Sequence, residues 1–165
     1  MLKRTFALGL ILLALAACAR DGGGHDVLGL HVGMSRDDAV RRLEQLGRKE
    51  RDERKQQEVW ALNEHPDYTH LLLGFNKEKT ELRYITAVAK PGRVRYADVL
   101  DLQKAKKTDA GANNHTYEQE VAADGTRPAY IVAARGTDPQ HLSYYSLKRY
   151  DAITAKEEEE ENKQD

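Results

Sequence analysis

The residue with the most distinctive chemistry is Cys18, the one thiol in the chain. It closes the run Leu15-Ala16-Ala17-Cys18, behind Lys3, Arg4 and an apolar stretch from Phe6 to Ala17. A basic start, a short apolar segment and small residues before a fixed point form the layout of a secretion signal. The uncharged stretch from Thr5 to Ala19 is shorter than the roughly 20 apolar residues a membrane-spanning helix needs. Left unmodified, Cys18 would be a lone thiol in an oxidising compartment, with no second cysteine for a disulfide or a thiolate metal site.

The other reactive residue types form no constellation. His65 and His70 flank a turn, but none of the six histidines has a partner at the tight spacing of a zinc site. No metal and no cofactor are expected. Asp98 and Asp101 fall on similar sides of a weak helix and could act as paired carboxylates, although solvated helix residues are the plainer reading. Ser35 has no nucleophile elbow around it and reads as a helix cap. No enzyme is expected. Tyrosine is the one biased type: Tyr117, Tyr130, Tyr144, Tyr145 and Tyr150 all fall in candidate strands of the second half. Tyr144 and Tyr145 are adjacent, so a strand points them to opposite faces. Tyr130, Arg135, Tyr144 and Tyr145, with Arg83 and Arg149 nearby, have the composition of a protein-binding surface. Core and cross-strand packing is the competing account.

These residues need a scaffold, and the sequence outlines one. Segment 1–17 reads as the signal, 18–26 with Gly22-Gly23-Gly24 as a flexible tether, and 27–151 as one domain. An acidic tail, 152–165, carries Glu157 to Glu161. Without Lys3 and Arg4 the chain holds 24 basic and 27 acidic residues, so nucleic acid is not implied. Ser35 to Leu46 has Ala39, Val40, Leu43 and Leu46 on one helical face, with Gly47 as the stop. Arg48 to Gln57 is almost wholly charged or amide and reads as helix extension or loop. Three strand candidates follow at 58–63, 70–76 and 81–90. The second half repeats the order, with a weaker helix at 96–106 and strands at 115–122, 129–135 and 141–150. A shift of 60 residues lays half 27–90 on half 91–151. It pairs Asp38 with Asp98, Val40 with Leu100, Leu71 with Ile131, Leu82 with Leu142 and Tyr84 with Tyr144. The predicted fold is α+β: an antiparallel sheet of about six strands with two helices on one face, as a tandem helix-strand-strand-strand repeat.

Leu15-Ala16-Ala17-Cys18 resembles a bacterial lipobox. The resemblance implies cleavage before Cys18, acylation of Cys18 and a lipid-anchored envelope protein. Ala19 rather than Asp after the cysteine points to the outer membrane, facing the periplasm, if the source is Gram-negative. Gly29-Leu30-His31-Val32-Gly33-Met34-Ser35, the helix ending in Leu46-Gly47, and the segments Val59 to Leu62 and Leu71 to Asn76 are similar to the SmpA/OmlA (BamE-like) small lipoproteins. Those are accessory subunits of the β-barrel assembly machine. The family usually has Pro shortly after Leu-Gly, where this chain has Arg48-Lys49-Glu50, and residues from about Tyr96 have no counterpart in it. The same module in tandem is found in the β-lactamase inhibitory proteins. The resemblance implies a non-enzymatic assembly or accessory factor that binds another protein. The alternatives are a periplasmic inhibitor of an envelope enzyme, a small-ligand sensor or carrier, and a cell-wall enzyme.

Overall fold

The computed structural model describes residues 25–53, 57–108 and 114–151. The signal segment, Cys18, most of the tether and the acidic tail lie outside the described residues.

Helix α1 (Arg36–Leu46) starts at Ser35, whose hydroxyl accepts from the Asp38 amide at 3.2 Å. That bond satisfies one of the donors a helix start leaves free. Ala39 and Leu43 are its buried face. The chain then runs straight into strand β1 (Gly47–Glu53), against β2 (Gln57–Leu62). A Cβ on Gly47 would collide with the Ala61 carbonyl, so only glycine fits this close approach. Strands β3 (Tyr68–Phe75) and β4 (Leu82–Ala89) complete the first half. The second half contains the short helix α2 (Tyr96–Val99) and strands β5 (Lys106–Lys107), β6 (His115–Val121), β7 (Tyr130–Gly136) and β8 (Tyr144–Arg149). All eight strands form one antiparallel sheet in the order β1-β2-β3-β4-β8-β7-β6-β5.

This corrects the expected sheet of about six strands with two helices on one face. The two added strands, β1 and β5, are the sheet edges, and their charged sequences carry no alternating apolar signal. The helical cover is also uneven, with eleven residues in α1 and four in α2. The weak helix expected over 96–106 stops because Leu100 turns extended (φ −131°, ψ 148°) and sinks into the core. Leu102, two residues on, is exposed.

The halves meet on a 60-residue offset. Thr86 of β4 and Ser146 of β8, themselves 60 apart, face each other across the central pairing, their hydroxyls 2.9 Å apart. Bridges outside the strands repeat at the same interval, Ser35 with Glu81 and Arg95 with His141. The Leu82 amide donates to the Met34 carbonyl at 2.9 Å, and the Leu142 amide to the Val94 carbonyl at 3.0 Å. A glycine with positive φ precedes each helix, Gly33 at +86° and Gly92 at +68°. One detail of the sequence alignment is corrected. Leu71 faces Ala87 and Val132 faces Leu147, so Leu71 corresponds to Val132, and Ile131 points to the opposite face.

One face of the sheet holds the core. Trp60, Leu71, Leu73, Ile85, Ala87, Val132, Ala134, Tyr145 and Leu147 are buried there in one cluster with Ala39, Leu43 and Tyr96. Glu58 lies on this face too, 5% exposed. Its carboxylate accepts from Arg36 at 2.8 Å and from the Trp60 indole at 3.1 Å, with Lys49 Nζ at 3.1 Å. Burial alone pushes the Glu58 carboxyl up, but those donors outweigh it and hold it below its ordinary value.

Candidate protein-binding face

The other face of the sheet is built from the alternate residues of the same strands. In β4 these are Tyr84, Thr86 and Val88; in β8 they are Tyr144, Ser146 and Lys148. The register places Leu72 of β3 beside Thr86, and Val59 of β2 beside Leu72. On the far side Ala133 of β7 adjoins Ser146, and Ile131 adjoins Lys148. A band of Val59, Leu72, Val88, Ile131, Ala133 and Tyr144 therefore crosses the sheet. All but Tyr144 are half-buried by their neighbours alone, and among the described residues both helices lie on the opposite side. Tyr84 is set by a local device: a Cβ on Gly74 would sit inside its ring, so the glycine leaves the aromatic room to lie flat across β3.

Two charged pairs lie toward the borders of this face, while Lys148 of β8 stands within it, between Tyr84 and Ile131. His70 Nε2 is 3.4 Å from Glu50 near the β1 edge. Arg135 is 3.9 Å from Glu118 near the other edge. Arg135 pairs in register with Tyr144, which is 51% exposed. Beside them is a depression of about 550 Å³, walled by Thr116, Glu118, Arg135 and Tyr144.

The four residues predicted as a surface thus divide. Tyr144 and Arg135 stand together on the uncovered face. Tyr130 and Tyr145 are each 3% exposed and belong to the core, because they alternate onto the helix side. Burial pushes both of their hydroxyls above the ordinary tyrosine value. Truncating Tyr145 should therefore disrupt the core. Arg83 and Arg149 also lie on the helix side, tied to carboxylates: Arg149 to Glu81 at 2.6 Å, and both arginines to Asp151 at 3.1–3.2 Å. Asp98 and Asp101 do not pair with each other; Arg95 holds the first at 2.8 Å and Lys104 the second at 3.1 Å. His65 Nδ1 accepts from the amides of Asp67 and Tyr68, a turn-closing role. Among the described residues no three His, Cys, Asp or Glu side chains converge on a metal site.

The sequence reading missed the aliphatic part of the face. Its signal was present in Leu71-Leu72-Leu73 and Ile131-Val132, where consecutive apolar residues in a strand must line both faces. Compared with protein-family models, curated proteins and solved structures, the chain matches none.

Proposed function

We propose that this is a non-enzymatic envelope lipoprotein, anchored through acylated Cys18, that binds another protein on the uncovered face of its sheet. One observation carries the reading: aliphatic and aromatic side chains contributed by five strands to the uncovered face, with Tyr144 exposed among them. An apolar centre with a polar rim is the anatomy of a protein interface. Single antiparallel sheets often leave one face to water, but such faces are then mostly polar. Here aliphatic and aromatic side chains surround the Thr86–Ser146 hydroxyl pair at the centre of the face. The depression beside Tyr144 and Arg135 suits an anchoring side chain from the partner, and tyrosine and arginine are the types that dominate binding energy at such places. The tether before His25 would hold this face close to the membrane that carries the anchor.

Site-specific photo-crosslinking in the native envelope tests the proposal. A crosslinker at Leu72 and another at Tyr144 should yield the same protein adduct, and one at Arg41 on α1 should not. The reading fails if the α1 position captures the same adduct, or if both sheet positions capture none. A Cys18→Ser chain should lose fatty-acid labelling and membrane fractionation; labelling that survives removes the anchor.

A further inference from the structure

The two edges of the sheet differ. β5 is two residues long, whereas β1 runs seven residues beside β2 and has no strand on its other side among the described residues. A strand so placed presents a row of unpaired backbone N–H and C=O groups. Charged residues and bulges ordinarily keep foreign strands off such an edge. β1 has both, in an order that leaves one pairing open.

Arg48 to Glu53 reads basic, basic, acidic, basic, acidic, acidic. Set antiparallel to itself about the point between Glu50 and Arg51, every position meets the opposite charge. Arg48 meets Glu53, Lys49 meets Asp52, and Glu50 meets Arg51. A slip of one residue brings like charges together, Lys49 with Arg51 or Glu50 with Asp52. A slip of two sets Arg48 on Arg51 or Glu50 on Glu53. Arg48, Lys49 and Glu50 are exposed, so a partner within the same copy, such as Glu58 beside Lys49, leaves room for a second.

An unbroken strand could not use this register. Opposed residues must share a face, and neighbours in a regular strand point to opposite faces. A symmetric pairing centred between two neighbours therefore fails. The bulge between Lys49 and Arg51 removes that conflict. Arg48 is in register with Ala61 on the uncovered face, and Lys49 with Trp60 on the helix side. Glu50, the extra residue, reaches His70 on the uncovered face, 3.4 Å away. Arg51 is then in register with Val59 on the uncovered face, Asp52 with Glu58 on the helix side, and Glu53 with Gln57 on the uncovered face. Each opposed pair thus belongs to one face.

We infer that β1 pairs with β1 of a second copy of this chain in this register, joining two sheets about a two-fold axis normal to them. The two uncovered faces then lie side by side as one continuous surface. The inference does not depend on what that face binds.

Sedimentation equilibrium of the full-length chain in density-matched nonionic detergent tests this. A monomer–dimer equilibrium that weakens as salt rises is expected. Arg48→Glu sets two acidic residues against each other twice per dimer, and Glu53→Arg does the same with two basic ones. Each should weaken self-association about tenfold or more. Mixed together, the two variants restore opposite charges at both places, so they should associate with each other about as tightly as the parent chain does with itself. A parent chain that stays monomeric throughout the micromolar range overturns the inference. So does either variant dimerising as the parent does, or a mixture that associates no better than its components.

Discussion

The two halves share a framework but use their covered faces differently. In the first half an eleven-residue helix seats Ala39 and Leu43 on the sheet, and Trp60 and Glu58 fill the β2 positions beneath. In the second half the places of Glu58 and Trp60 are taken by Tyr117 and Gln119, and the helix is four residues long. Gln119 bonds the Asp101 amide at 3.1 Å instead of presenting a large ring to the core. Tyr96 supplies much of the second core; its ring lies 4.8 Å from that of Tyr117, and its hydroxyl donates to the His115 carbonyl at 3.1 Å. Burial, with Tyr117 and Asp138 nearby, pushes that hydroxyl up to about 12. One half is built for packing density, and the other keeps space beneath its helix. A repeated framework therefore does not imply repeated use.

The contrast can be broken most directly in the cores. Leu43→Ala should cost about 2–5 kcal/mol in a urea melt. Leu102→Ala, at an exposed position of the second half, should cost under about 0.5 kcal/mol. Equal losses would mean that Leu102 is packed as tightly as Leu43.

Glu58→Gln should cost about 2 kcal/mol, because Arg36 and Lys49 lose their shared carboxylate charge. Trp60 is the sole tryptophan and bonds Glu58, so its fluorescence reports on the site directly. The sign of the pH effect follows from the lowered carboxyl. The network stabilises fully above the unfolded glutamate value of about 4.3, and that contribution is lost as pH falls through the lower folded value. Trp60 emission should change over that interval in the parent and not in Glu58→Gln.

The two adjacent tyrosines sharpen the same point across the sheet. Tyr144→Ala should weaken partner binding by about 2 kcal/mol, roughly thirtyfold, as a truncated hot spot does. Folding stability should change by no more than about 0.5 kcal/mol. A Tyr144→Ala chain that crosslinks as the parent does would sink the binding face. The smallest effect expected is at the helix starts. Ser35→Ala should cost about 1 kcal/mol through the lost cap. Arg95→Ala, exposed ahead of the shorter helix, should cost less. Thermal melts of the two variants check the order.

Six of the eight strands were legible because alternating residues between turn sequences have one physical cause, a half-buried pleat. β1 was not, because Gly47 to Glu53 offers no apolar alternation. Its pairing depends on the backbone of β2, which a local reading does not contain. The end of α2 was misread because Val99 and Leu100 suit a helical face as well as a strand-like entry into the core. Tyr144 and Tyr145 were correctly sent to opposite faces, but strand parity alone does not say which face the helices cover. The cleft of about 910 Å³ beside α2, lined by Val94, Leu100 and Tyr145 among others, has no signature in the sequence. It arises from what the second half lacks by comparison with the first.

The position of β8 bears on how the molecule assembles. It is the last strand described, yet it lies fifth in the sheet, between β4 and β7. Before residues 144–149 dock, β4 and β7 each present an open backbone edge beside apolar side chains. Such edges readily pair with foreign strands. The pairing that removes both joins residues about 60 positions apart, a non-local closure of the kind that slows folding. Molecules cut or stalled before Tyr144 would be the aggregation-prone species, and adding six residues turns two adhesive edges into the interior of a sheet.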